Sequence, residues 1–175
     1  MNFLYPSRAT CLAAAEIATR LGPMVAIADE QQLYLLEFID RAKLDQQLKK
    51  WKAAYEISPG RTGPIESIER ELEAYFKGEL SDFQTPYRMV GSSFRERVWG
   101  ALVQIPYGAT CSYREVARAI GQPLATRAAA SSIGANQLAI IVPCHRVICT
   151  NSHLGGYAGG LARKEWLLAH EATSH

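Results

Sequence analysis

Two apolar runs, Met24 to Ala28 and Leu33 to Ile39, flank a polar Asp-Glu-Gln-Gln turn, and their content predicts a β-hairpin. From Asp40 to Tyr55 the apolar positions Leu44, Leu48 and Trp51 recur at helical spacing among Lys and Gln. Ile65 to Lys77 repeats that pattern through Ile68, Leu72, Tyr75 and Phe76. Residues 1–88 are therefore expected as a small α/β domain without a chemical motif of its own. Residues 78–92 carry Gly, Pro and Ser with no clear period and read as a linker.

A different pattern fills residues 92–175. Ser93 with Glu96, and Ser112 with Glu115, have capping-box spacing ahead of FRERVWGALVQI and YREVARAI, which places two helix starts. IPYG turns the chain between them. GQP breaks the second helix after Ile120 and puts Pro123 at the first position of a third, Leu124 to about Gly134. Helix, short Gly-containing turn and helix make the outline of a helix-turn-helix, which helical hairpins that bind no nucleic acid share. The third helix, LATRAAASSIGA, has one charge, Arg127, among Ala and Ser, and small residues allow close approach to another helix or to a groove wall. Leu138 to Val142 reads as a short buried strand that ends at Pro143. A last helix, Ala162 to Ala172, carries Leu167 and Leu168.

Composition narrows the setting. The 175 residues suffice for one or two small domains with a hydrophobic core and no disulfide staples. No apolar stretch reaches the roughly 18–20 residues that span a bilayer. The N-terminus lacks a basic region ahead of a continuous apolar one, so no signal peptide is read and the cytoplasm is the expected compartment. Cys11, Cys111, Cys144 and Cys149 form no CxxC pair and are expected as free thiols. The net charge is +2, yet residues 92–175 hold 8 Lys and Arg against 4 Asp and Glu. That basic half fits a polyanionic partner and fits plain surface charge equally well.

The chemical candidate is Cys144 beside His145. On extended backbone, adjacent side chains point to opposite sides, so a turn or a bridging water has to connect them. A histidine that takes the thiol proton raises the thiolate fraction, and a carboxylate on the other ring nitrogen would orient that histidine. Glu96, Glu115, Glu165 and Glu171 are the carboxylates available in this half. On the pair alone a buried inert thiol is the better reading. Zinc is disfavoured because Cys144, His145 and Cys149 lack a spaced fourth ligand. The loop GGYAGG (155–160) has no GK[ST] ending, so it reads as flexibility or as close backbone approach to a ligand.

PCHRV (143–147), FRERVWGALVQIPYGATCSYREVARAIGQP (94–123), the Arg127-Ala128 pair and GGYAGGLARKEWLLAHE (155–171) together resemble, in order, the O6-alkylguanine-DNA alkyltransferase family. These blocks cover almost all of the second half, and LGPMVAIAD (21–29) resembles the opening of the family's N-terminal domain. The resemblance implies an α+β fold: a ribonuclease H-like N-terminal domain, then a mainly helical C-terminal domain with a helix-turn-helix. It implies a DNA repair protein, a methylated-DNA–protein-cysteine methyltransferase. Such a protein flips O6-alkylguanine out of double-stranded DNA and moves the alkyl group irreversibly to its own Cys144, once per molecule. O4-methylthymine is left open as a substrate. In this reading Cys144 is the nucleophile, His145 its base through a water, and Glu171 the orienting carboxylate. Tyr113 assists rotation of the nucleotide and bonds to the flipped base, while Asn136 braces the turn before the active site. Arg127 enters the base stack, with Ala128, Ser112 and Thr126 also on DNA. Ile133, Val147, Tyr157, Ala158 and Gly159 line the base pocket. The family implies minor-groove binding, no cofactor, no metal, no membrane, and a monomer with room for cooperativity along DNA.

Departures from the family pattern bear on substrate breadth more than on the reaction. Gln137 follows Asn136 where most members have proline, which makes that turn less rigid. AAASSIG replaces a Val-Gly-rich helix, and CTNSH (149–153) replaces a Gly-containing turn. The extension ahead of Leu21 does not follow the family and is expected to be loosely ordered. A non-repairing alkyltransferase-like branch carries tryptophan at the cysteine position, so Cys144 argues against it. A Cys-His hydrolase with turnover stays open on chemistry alone. Cys149 is expected to be the inert thiol.

Overall fold

In the computed structural model, which describes residues 11–151 and 153–173, the first strand lies inside the stretch expected to be loosely ordered. β1 (Leu12–Ile17) pairs antiparallel with β2 (Met24–Ala28), which pairs antiparallel with β3 (Leu33–Phe38). The physical reason for this correction is burial: Leu12 and Ile17 are both 1% exposed, and that apolar contact orders the segment. Residues 1–10 of the extension lie outside the described residues. The turn between β2 and β3 is held by Asp29, whose Oδ1 accepts from the backbone N–H of Gln31 at 2.7 Å and of Gln32 at 2.8 Å.

Two helices follow, α1 (Leu44–Ala54) and α2 (Gly63–Lys77), with β4 (Ile57–Pro59) between them. β4 runs parallel to β1, and the sheet order is β3-β2-β1-β4. α2 buries Ile65, Ile68, Leu72, Tyr75 and Phe76, the set its periodicity predicts, and stops at Gly78, whose φ of 77° suits a left-handed cap. Leu12, Ile27, Tyr34, Leu35, Trp51 and Tyr55 form one buried cluster with Val90. The stretch read as linker is partly strapped to this unit. Leu33 donates to the Pro86 carbonyl and accepts from Arg88 N, both at 2.8 Å. Glu71 accepts from Gln84 N and from Thr85 Oγ1, also both at 2.8 Å. The division between two compact units falls between Val90 and Gly91.

The second unit is mainly helical. α3 (Ser93–Val103) begins one residue earlier than the capping-box reading placed it: the capping side chain is Ser92, which accepts from Arg95 N at 3.4 Å. α4 (Tyr113–Ala119) has the full capping box, with Ser112 Oγ accepting from Glu115 N and Glu115 Oε2 accepting from Ser112 N at 2.6 Å. α5 (Thr126–Gly134) starts later than expected. Pro123 belongs to the turn rather than the helix, and Leu124 is 100% exposed because nothing packs there. α3 and α5 are tied by Trp99 Nε1, which donates to the Ser132 carbonyl at 2.8 Å in the interior.

Residues 138–142 correct the strand reading. They are buried but curl as a turn, with Ile140 at φ 73°, Val142 N donating to the Leu138 carbonyl at 2.9 Å, and no strand ladder. A single 3₁₀ turn, Cys144–Arg146, follows. Then β6 (Val147–Ile148) pairs in parallel with β5 (Cys111–Ser112), so the start of α4 is fastened beside the segment leaving the cysteine. α6 (Leu161–Thr173) closes the described chain and buries Lys164, Leu167 and Glu171 at helical spacing.

Candidate active site

The 3₁₀ turn answers the geometric question posed by adjacent Cys and His. At about three residues per turn, consecutive side chains fan out at about 120° instead of alternating across a strand. Cys144 and His145 are both buried, His145 completely. His145 Nε2 lies 2.7 Å from Glu171 Oε1. Glu171 also accepts from Arg146 Nε at 2.8 Å, from Arg146 Nη2 at 3.1 Å and from Gly108 N at 3.2 Å. Burial would raise the Glu171 pKa, but the bonds from His145 and Arg146 outweigh it and hold the carboxyl well below the usual carboxylate range. An ionised carboxylate only accepts, so Nε2 carries the proton and the lone pair sits on Nδ1. Nδ1 has no protein hydrogen-bond partner. Burial lowers the His145 pKa, against the pull of Glu171, and keeps the imidazole neutral and basic.

Asn136 holds the cysteine from the other side. Its Nδ2 donates to the Val142 carbonyl at 2.9 Å, to the Leu138 carbonyl at 3.3 Å and to Cys144 Sγ at 3.2 Å, while Oδ1 accepts from Leu138 N at 3.0 Å. One side chain thus sets both the curled 138–142 segment and the orientation of the sulfur. These bonds hold the turn around Gln137.

Cys144 faces a cavity of about 430 Å³, large enough for a purine base with a substituent, lined by Tyr113, Ile133, Cys149, Tyr157 and Ala158 and by the small residues Ala130, Gly134, Gly155 and Gly156. Tyr113 Oη donates to the Gly156 carbonyl at 3.4 Å, and burial above all keeps its phenol protonated by raising its pKa. Gly155 is at φ +69°, and a Cβ there would sit 2.9 Å from Tyr113 Oη and 3.2 Å from Cys149 Sγ. Within GGYAGG, position 155 therefore needs glycine for close backbone approach.

Of the pocket candidates, Ile133, Tyr157 and Ala158 are on the cavity wall. Val147 and Gly159 lie outside it: Val147 is fully buried with its carbonyl held by Lys164, and the Gly159 carbonyl accepts from Arg163 at 2.8 Å. Cys149, read as the inert thiol, shares the cavity with Cys144. Ser112 is committed to its capping box. Arg127, Ala128, Ser131 and Gly134 are exposed on α5, whose other side buries Ala129, Ser132 and Ile133. Thr126 and Arg127 open that helix.

Two residues of the site were given no role from sequence. Arg146 is buried, holds Glu171 with two nitrogens, donates Nη1 to the Ile105 carbonyl at 2.6 Å and stacks 5.6 Å from the Tyr107 ring. Lys164 is buried with its ammonium on backbone carbonyls. The available signal was a charged residue on an apolar helix face, Lys164, Leu167 and Glu171 being spaced i, i+3, i+7. Among the described residues no cluster of three or more His, Cys, Asp or Glu could hold a metal ion. None of their helices is long and apolar enough to cross a membrane.

The chain is mixed α+β, with the buried Cys144 on a cavity wall and, at the next position, a neutral His145 bonded to the ionised Glu171. The profile described as "6-O-methylguanine DNA methyltransferase, DNA binding domain" matches residues 93–173. The methylated-DNA–protein-cysteine methyltransferase of Methanosarcina acetivorans is 40% identical over 153 residues, covering 87% of this chain and 94% of the relative. That of Shigella flexneri is 42% identical over 162 residues, covering 89% and 93%. The crystal structure of Mycobacterium tuberculosis O6-methylguanine methyltransferase aligns with a TM-score of 0.81 at 36% identity over 94% of each chain. The same organism's OGT in complex with DNA aligns at 0.79. The chain belongs to the methylated-DNA–protein-cysteine methyltransferase family.

Proposed function

We infer that this chain repairs double-stranded DNA by taking the alkyl group from O6 of guanine onto Sγ of Cys144, once per molecule. The observation that carries this reading is the Glu171, His145 and Cys144 arrangement beside a base-sized cavity. The thiol proton passes through a water to His145 Nδ1, and Glu171 supports the imidazolium through Nε2. Sγ attacks the alkyl carbon, the carbon–O6 bond breaks with its electron pair on oxygen, and reprotonation of the base restores guanine. Tyr113, kept protonated, donates a hydrogen bond to the base and offsets the developing negative charge. The thioether has no route back to a thiol, so turnover stops.

A stacked guanine cannot reach a buried thiol, so the base has to be flipped at a cost of a few kcal/mol. The α4–turn–α5 hairpin is read as a helix-turn-helix whose α5 enters the minor groove. Its exposed Ala128, Ser131 and Gly134 permit close approach, and Arg127 fills the space the base leaves. The sheet order of the first unit, with β4 parallel to β1, supports a ribonuclease H-like domain. A thiol consumed in the reaction needs a reducing compartment, in keeping with the cytoplasm, and binding by a single copy suffices for the chemistry.

Incubation with an O6-methylguanine duplex, followed by mass analysis of the peptide holding Cys144, tests the reading. One methyl gain and no second turnover is expected; an unmodified peptide with tight DNA binding, or continued turnover, would overturn it. Arg127→Ala is expected to slow duplex repair about 10- to 100-fold, equivalent to about 1.4–2.8 kcal/mol of lost support for the flipped state, with transfer from free O6-benzylguanine changed by no more than about twofold. Equal losses on both substrates would remove Arg127 from base flipping.

A further inference from the structure

Lys164 takes no part in the proton path above, yet its side chain is fully buried. Its ammonium donates to the carbonyls of Val147 at 2.5 Å, Gly156 at 3.2 Å and Leu154. Three carbonyl acceptors call for three N–H donors, which only the protonated amine has. Burial lowers its pKa from the ordinary 10.5, more than Cys144 and Cys149 raise it, and the three carbonyls around the ammonium are what hold the charged form. No carboxylate pairs with it among the described residues, since Glu171 is occupied by His145, Arg146 and Gly108. Carbonyl dipoles alone compensate a buried cation poorly. Val147 lies three positions past Cys144, and Gly156 lines the cavity that Cys144 and Cys149 share, so the ammonium is bonded to the wall of the pocket that holds both thiols. Arg146 is already balanced by Glu171, and His145 is neutral.

The carbonyls it gathers are spaced in a telling way. Val147 leaves the catalytic turn, while Leu154 and Gly156 come from the far end of the loop whose Gly155 and Gly156 line the cavity. One cation therefore draws together both ends of the pocket wall. Gly156 is also the acceptor of Tyr113 Oη.

We propose that Lys164 is the positioning residue of the acceptor pocket, clamping Val147 to Leu154 and Gly156 and supplying the positive charge that favours the Cys144 thiolate. Its consequence for repair rests on Cys144 being the alkyl acceptor; thiol acidity itself does not, which separates the two in the experiment. Full-length wild type, Lys164→Met and Lys164→Arg are alkylated with iodoacetamide across a pH series, and the peptide holding Cys144 is followed by mass. In Lys164→Met the inflection is expected to rise by about one pH unit, making Cys144 about tenfold slower at pH 7 and equal to wild type above the inflection. Lys164→Arg, which keeps the charge, recovers most of that shift. A rate lowered equally at every pH in Lys164→Met would mean packing alone and overturn the electrostatic role.

If Lys164→Met does not fold, the reciprocal measurement decides. Coupling between two sites is mutual, so Cys144→Ser is expected to lower the Lys164 pKa read from its side-chain NMR signals, and identical titrations in the two proteins would overturn the proposal. Methyl transfer to a residue other than Cys144, together with the expected shift in inflection, would sink the repair reading and leave this one standing.

Discussion

Cys144→Ala is expected to abolish alkyl transfer and leave duplex binding within about twofold, because the group removed is the proposed nucleophile and α5, the candidate DNA face, is untouched. Losing one buried sulfur leaves a small void costing about 1 kcal/mol, and the site has the means to absorb it. Asn136 loses one of its three acceptors but keeps the Val142 and Leu138 carbonyls, so the curled segment before the turn stays in place. The informative complication is Cys149, which lines the same cavity. Should the variant still take up a methyl group, peptide mapping would find it on Cys149, and the assignment of Cys144 as the acceptor would fail. Gel-shift or anisotropy titration on the lesion duplex, run beside the transfer assay, keeps loss of chemistry distinct from loss of folding.

Much of this site is legible in the sequence itself. Local rules reach helix starts and turns, so the Ser112–Glu115 capping box, the Asp29 turn and the apolar face of α2 stand where the pattern put them. The choice among Glu96, Glu115, Glu165 and Glu171 was beyond spacing, because it depends on α6 packing against the 3₁₀ turn across 26 positions of sequence. Only the family resemblance selected Glu171. Residues 138–142 were misread for a different reason: an apolar run has no period that separates a buried strand from a buried turn. What curls it is the positive φ at Ile140 and the Asn136 side chain bonded to both ends. Arg146 and Lys164 escaped because a charged letter beside apolar ones reads as surface until its partners are known.

Glu171→Gln is expected to damage chemistry and stability together, since this carboxylate joins the proton path to the core. Glutamine keeps one acceptor oxygen but turns the other into a donor, which faces either the Nε2–H of His145 or the Arg146 guanidinium. Arg146 then stays buried with its charge uncompensated, a loss of about 3–5 kcal/mol for a broken interior pair. Without the anion the imidazolium formed on proton transfer is unsupported, and transfer to Cys144 falls about 10²- to 10⁴-fold. The same groups set the acid limit of the second unit. His145 has its pKa lowered from the ordinary 6.5, so the unfolded chain takes up that proton first and stability begins to fall as pH drops below about 6.5. Glu171 is also held below its ordinary 4.5, so its contribution is complete above that value and is lost as pH falls further. Unit-resolved hydrogen exchange across pH 3–7 should show the second unit of wild type weakening in those two windows, and Glu171→Gln weaker at pH 7 but flatter below pH 4.5. A variant with wild-type stability at pH 7, or one with an unchanged acid slope, would mean that Arg146 finds its compensation elsewhere and that Glu171 does not anchor the site.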